Sequence, residues 1–228
     1  MNEDQVRFLN HLIRTGALTF TPTLLKSGRE SPYYISIRKA MDTGEGLQEV
    51  ALAYVKKILT NVGNDFDYVH GPAYTGIPLA SSIAIELWRQ NGLNTRYGYD
   101  RKEAKSHGKK TEKVVVGDLR DGDRVIIVDD VITTGETKLL CWKKLVSIGK
   151  HLQAKGIIIG VDREEVDEDG KRVQDYLMHN GLPVYSILRI TDVFEWLRGK
   201  MMYGRILVTD RVHRQFQEYI TKYGIPAT

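Results

Sequence analysis

Apolar positions recur along this chain with two periods. Helical spacing predicts an N-terminal helix over about Asp4–Arg14, with Val6, Leu9, Leu12 and Ile13 on one side, and a second over Leu47–Leu59 through Val50, Ala51, Tyr54, Val55 and Ile58. Ile77–Trp88 also reads as helical. Short, mostly β-branched runs predict strands at Phe66–Val69, Val125–Val128, Ile157–Val161 and Val184–Leu188. Thr95–Tyr99 and Lys113–Val116 are strand-like and flank a basic stretch, and a helix follows Val125–Val128 to about Ile148. Residues 17–42 are irregular, with β-prone patches at Thr19-Phe20 and Tyr33-Tyr34-Ile35, and two helical patterns start at Thr191 and about Thr209. This alternation predicts an α/β fold with a mainly parallel central sheet flanked by helices. With no internal repeat, low-complexity tract or linker, the expectation is one domain over 1–228.

The most informative stretch is Val125-Ile126-Ile127-Val128-Asp129-Asp130-Val131-Ile132-Thr133-Thr134-Gly135-Glu136-Thr137. It reads as a buried strand, two adjacent carboxylates at its carboxyl end, and a hydroxyl-rich turn opening a helix. Open α/β sheets bind ligands at that edge. A helix start offers backbone N–H groups and the positive end of its dipole to an anion. The segment therefore combines acceptors for sugar hydroxyls or metal-bound water with a phosphate cradle, the two halves of a ribose 5-phosphate. An ordinary acidic turn, or a magnesium-dependent phosphotransfer fold, also places aspartates after a strand, but neither needs Thr-Thr-Gly-Glu-Thr directly afterwards.

Composition narrows the partners. The chain has 228 residues, 42% hydrophobic and 27% charged, which is globular and not disordered. No apolar run reaches the roughly 18 residues of a membrane span. Met1-Asn2-Glu3-Asp4-Gln5 is polar and acidic, unlike a secretory signal, so a cytoplasmic location and no membrane partner are expected. Cys141 is the sole cysteine and excludes an internal disulfide; among Leu139, Leu140, Trp142 and Leu145 it reads as a packed core thiol. The net charge is +4. Residues 101–113 carry Arg101, Lys102, Lys105, Lys109, Lys110 and Lys113 against Glu103 and Glu112, an excess as large as that of the whole chain. A nucleic-acid surface would more often spread such charge along a face with aromatic platforms. A compact cluster between two strands suits a small, highly anionic ligand.

Three further segments are weak signals taken singly. Gly71-Pro72-Ala73-Tyr74-Thr75-Gly76-Ile77-Pro78 is a second strand-loop-helix anion cradle, although many such turns are rich in Gly and Pro. Leu24–Tyr34 ends in a basic and aromatic loop, otherwise a solvated turn with two core tyrosines. Tyr99–Gly108 is a charged loop, usually a solvated run.

Asp129–Thr137 resembles the phosphoribosyl diphosphate (PRPP) signature of the type I phosphoribosyltransferases. The four segments in this order and spacing resemble the orotate phosphoribosyltransferase family, from about Val6 through the final helices. That resemblance implies the type I fold, with a small hood contributed mainly by about 1–42 and the C-terminal segment. It implies a pentosyltransferase of pyrimidine biosynthesis that moves the 5-phosphoribosyl group from PRPP to orotate N1, giving orotidine 5-monophosphate and pyrophosphate. It implies a homodimer whose loop, carrying Arg101, Lys102, Lys105 and His107, closes over the neighbouring subunit's site. Asp129 and Asp130 would hold the ribose hydroxyls, and Val131, Ile132, Thr133, Thr134, Gly135, Glu136 and Thr137 the 5-phosphate. Tyr74 and Thr75 would lie in the pyrophosphate loop. Lys26, Tyr34, Ile35, Thr133 and Arg163 would border orotate, Arg163 engaging its carboxylate, and Lys26 would also touch PRPP. The catalytic set so implied is Lys105, His107, Asp129 and Asp130, with either Lys105 or His107 as proton donor to the diphosphate.

Mg²⁺ is the implied cofactor. It would be held mainly by PRPP and water, with Asp129 or Asp130 reaching it through water and no direct protein ligand assigned. The chain departs from the family pattern at Thr75, where a lysine is usual, so a cationic contact to diphosphate is missing or moved. Two alternatives stand beside this reading. A purine-base phosphoribosyltransferase would keep Asp129–Thr137 without needing Arg163 or the Lys26–Tyr34 segment. A non-catalytic PRPP-sensing regulator would not need the charged loop.

Overall fold

The computed structural model describes residues 1–25, 27–101, 114–132, 136–167 and 169–225, without the side chains of 136 and 137. Its centre is a six-stranded sheet of β5 (Tyr68–Gly71), β6 (Arg96–Asp100), β7 (Val115–Gly117), β8 (Arg124–Val131), β9 (Gln153–Asp162) and β10 (Val184–Arg189), in the order β10-β9-β8-β5-β6-β7. Every neighbouring pair is parallel except β6–β7.

Side chains alternate along β8. Val125 and Ile127 enter one core with Ile157, Ile159 and Leu145, whereas Ile126 and Val128 enter the other with Val50, Tyr54 and Leu79. A strand apolar on both faces needs cover on both faces. Helices supply it: α3 (Gly44–Asn61) and α4 (Gly76–Asn91) over the larger core, α5 (Glu136–Val146) over the smaller.

The helical repeats marked real elements whose ends are set by caps. The N-terminal helix α1 (Glu3–Arg14) starts at Asn2, whose side chain accepts from the Gln5 N–H in a reciprocal capping box. The second predicted helix, α3, starts three residues before Leu47, because the Thr43 side chain accepts from the Gly46 N–H. The region 17–42 contains two short hairpins, β1 (Leu18–Thr19) with β4 (Tyr34–Ile35) and β2 (Thr23–Leu24) with β3 (Glu30–Ser31), then a single turn of helix, α2 (Ile37–Ala40).

Beyond β9, α6 (Val173–His179) is a short helix that periodicity did not mark. The closing patterns are α7 (Ile190–Leu197), the β11 (Met201–Met202)–β12 (Arg205–Ile206) hairpin and α8 (Asp210–Tyr223). The first segment and the last helices meet in one aromatic cluster. Fully buried Tyr33 lies edge-on to Phe194 at 5.7 Å, Phe216 at 6.2 Å and Tyr219 at 6.1 Å, and Phe194 stacks on Phe216 at 3.8 Å.

Candidate active site

Strand order locates the site before any side chain does. From β5 the chain crosses to β6 on one side, then returns through β8 to β9 and β10 on the other. The crossovers therefore diverge between β5 and β8, and a crevice opens beyond their carboxyl ends. The loop after β5 is the Gly71–Gly76 cradle. The acids sit at the end of β8, inside the strand, which runs to Val131 instead of stopping at Val128 as its apolar run suggested. Asp129 still pairs in register with Ile159, and Val131 with Val161.

The two carboxylates are not equivalent. Asp129 is buried; its Oδ1 accepts from the Asp130 N–H at 2.9 Å, and its carbonyl accepts from the Tyr54 hydroxyl at 2.7 Å. Its Oδ2 is ion-paired with Lys138, itself buried on the first turn of α5. Asp130 accepts only the Val131 N–H, at 2.8 Å, among the described contacts of its side chain. Burial, and then the charge of Asp129, push its carboxyl up to about 6. One acid thus has its counter-ion built in. The other, beside it, has none among the described residues and gains most from a hydroxyl donor or a cation.

The Gly71–Gly76 loop folds back so tightly that its ends touch. A Cβ on Gly71 would lie 1.8 Å from the Gly76 carbonyl oxygen, and one on Gly76 would lie 2.6 Å from the Gly71 carbonyl carbon. Only glycine fits at either end. The Gly76 N–H donates to the Pro72 carbonyl at 3.0 Å, and the Ala73–Tyr74 peptide is cis. Tyr74 is exposed, and Thr75 is the residue before α4, its hydroxyl forming no cap bond to that helix.

Arg163 follows β9 directly. The next residue, Glu164, is left-handed at φ 54°, which costs a side-chain-bearing residue about 1–2 kcal/mol. Local bonds hold it there: its N–H donates to Asp162 Oδ1 at 2.8 Å, and its carboxylate accepts from Arg189 Nε at 2.7 Å and the Thr191 N–H at 2.9 Å. Arg163 is thereby turned into the aromatic cluster, its guanidinium 4.7 Å above the Tyr33 ring and 3.4 Å from the Tyr219 hydroxyl. It is ion-paired with Glu165 at 2.7 Å. Glu165 also accepts from Arg29 at 3.2 Å and the Tyr219 hydroxyl at 2.8 Å.

The structure therefore brings Asp129, Asp130, Val131, Ile132 and the start of α5 to one edge of the sheet, with Tyr74 and Thr75 on the neighbouring loop and Arg163 on the other side. Tyr34 and Ile35 pair with Thr19 and Leu18; Tyr34 is partly exposed, while its neighbour Tyr33 is buried. Arg101 donates its N–H to the Val114 carbonyl and its own carbonyl accepts from Lys144 at 3.0 Å. Lys26, Lys102, Lys105, His107, Thr133, Thr134 and Gly135 lie outside the described residues, as do the side chains of Glu136 and Thr137. Sequence reasoning missed Lys138, Glu165 and Tyr219. A lysine one residue past the phosphate turn was the available signal for the first; the others had none.

Residues 41–149 match the phosphoribosyl transferase domain family. An orotate phosphoribosyltransferase of Clostridium acetobutylicum is 36% identical over 99% of this chain and 100% of its own length. One from Bifidobacterium animalis is 35% identical over 96% of each. The crystal structure of the Francisella tularensis orotate phosphoribosyltransferase superposes with a TM-score of 0.78 at 27% identity, covering 95% of this chain and 98% of that one. With a type I sheet, a carboxylate pair at its switch point and relatives matched end to end, the chain belongs to the orotate phosphoribosyltransferase family.

Proposed function

We propose that the chain transfers the 5-phosphoribosyl group from PRPP to N1 of orotate, forming orotidine 5-monophosphate and releasing pyrophosphate. The observation that carries this reading is the Asp129–Asp130 pair at the switch point, with one acid neutralised by Lys138 and the other open. Ribose hydroxyls donate to Asp130, whose side chain otherwise accepts only the Val131 N–H among the described residues. The start of α5 receives the 5-phosphate, and the Gly71–Gly76 backbone receives the diphosphate.

Two crowded carboxylates of hard oxygen donors, one poorly compensated, fit Mg²⁺ arriving with PRPP. When bound, Mg²⁺ supplies positive charge against the diphosphate. The chain's own residues position the sugar, exclude water and stabilise charge. Arg163 takes the orotate carboxylate in competition with Glu165, which keeps Arg29, Tyr33 and Tyr219 as partners. Lys102, Lys105 and His107 act from the closing loop, with Lys105 or His107 protonating the leaving diphosphate in a site shut to water.

The functional unit is a cytoplasmic homodimer of single domains in which that loop serves the partner's site. Mixing Lys105→Ala with Asp129→Asn/Asp130→Asn subunits tests this, since exchange creates one hybrid site with both functions intact. Activity itself is tested by orotate absorbance. Orotate should disappear only with both PRPP and Mg²⁺ present, and reappear from orotidine monophosphate with pyrophosphate. Turnover of hypoxanthine or guanine with orotate inert would overturn the substrate assignment.

A further inference from the structure

Behind the sugar site, three side chains that the transfer reaction does not use come together. His70 is the penultimate residue of β5 and is fully buried, Asp100 ends β6, and Cys141 is buried on α5. One donor atom from each lies within 4.8 Å of the other two. Three points so spaced all fall within about 2.8 Å of some common centre, against roughly 2.0–2.3 Å for zinc bonds to nitrogen, oxygen and sulfur. Shifts on the order of half an ångström per ligand would close the gap.

We propose that His70, Asp100 and Cys141 form a binding site for a thiophilic divalent cation of the Zn²⁺ class, distinct from the Mg²⁺ that accompanies PRPP.

The arrangement is unusual for a packed interior. The His70 ring is wholly buried, yet among the described residues its Nδ1 has no hydrogen-bond partner, and buried polar atoms are seldom left so. Its Nε2 lies 3.1 Å from Asp100 Oδ1, so two of the proposed ligands already face one another. The charge balance also fits. Lys144, about a quarter exposed, is the cation now near Asp100, at 3.4 Å, and its stem leads to solvent. A divalent ion would replace it and displace the thiol proton to solvent, leaving the carboxylate and thiolate charges neutralised. Thiolate and imidazole select Zn²⁺ over Mg²⁺, which prefers oxygen. The three ligands join the strand before the Gly71–Gly76 loop, the strand leading to Arg101 and the helix after the phosphate turn. Occupancy would clamp three elements of the site to one another.

Co²⁺ is the probe. Titrated into the full chain, it should produce a near-ultraviolet thiolate-to-metal charge-transfer band that Zn²⁺ bleaches and Mg²⁺ does not. Cys141→Ser should abolish the band, His70→Asn should weaken binding at least tenfold, and Lys144→Met should tighten it severalfold by removing the competing cation. Far-ultraviolet circular dichroism of each variant separates lost ligation from lost folding. No band in the wild type, or a band surviving in Cys141→Ser, would overturn the site.

Discussion

The two ends of β8 treat charge in opposite ways. At its start, Arg124 grips Asp67 with Nε and Nη2, both at 2.8 Å, adds its backbone N–H at 3.0 Å, and also pairs with Asp65. Alongside, Arg96 meets Asp123 through two nitrogens at 2.8 and 2.6 Å. At its finish, Lys138 is ion-paired with one of two adjacent aspartates, Asp129. The same side-chain type responds accordingly. Hydrogen bonds from Arg124 hold the Asp67 carboxyl down to about 2, whereas burial and Asp129 drive Asp130 up to about 6. One end of the strand spends its charges on structure; the other keeps one uncompensated, and that is the end where a ligand belongs.

The largest test removes the crowded pair. Asp129→Asn/Asp130→Asn should lose on the order of 10²-fold or more in kcat/KM while keeping its circular dichroism, because the lost groups meet the substrate in the transition state. Unchanged PRPP affinity and rate in the folded double variant would break the contrast.

Stability should move the other way at the same residue. Asp130 binds its proton more tightly when folded, so the wild type loses stability as pH rises from about 4 to about 6 and does not regain it above. Asp130→Asn, whose amide oxygen can still accept the Val131 N–H, escapes that loss. It should be more stable than wild type by about 1–2 kcal/mol at pH 8 and equal to it near pH 4. Denaturant melts at the two pH values check the sign; a variant less stable at pH 8 would show that Asp130 is well compensated.

Thr75→Lys would add a cation to the end that lacks one. Pyrophosphate should then inhibit more tightly, by ~1–2 kcal/mol for one charged hydrogen bond, with orotate binding little changed. Inhibition that is unaltered or weaker would remove residue 75 from the diphosphate site. The smallest effect belongs to the satisfied end. Asp67→Asn should cost about 1 kcal/mol at pH 7, discounted because the pair is partly exposed. The difference should fade as pH falls from about 4 towards about 2, since a depressed carboxyl stabilises only while ionised. Turnover should be untouched.

What could be read from the chain depended on how far the relevant physics extends along it. The strand at Val125–Val128 and the acids after it were legible because both signals are local. The pair Asp129–Lys138 was not, since a helix must turn back over its strand to join residues nine apart. Arg163 was identified through its motif, but its engagement with Glu165, and of Glu165 with Arg29 136 residues away, exists only in the folded chain. The bland reading of Tyr33 and Tyr34 as two core tyrosines holds for Tyr33 alone, because adjacent residues of an extended segment point to opposite sides and only Tyr33 is buried. The helix Val173–His179 is too short for a periodic signal to show.

The meeting of the chain's two ends sets a timetable for its synthesis. Tyr33 waits for Phe194 and Phe216, and the Gln5 side chain donates to the Ile187 carbonyl, 182 residues later. At translation speeds of 5–20 residues per second, that delay is on the order of 10 s. Throughout it Tyr33 lacks the aromatic rings that cover it in the folded chain. The last helix, α8, delivers Phe216 and Tyr219 to Tyr33, so a chain stopped short of it would leave that ring uncovered on one side.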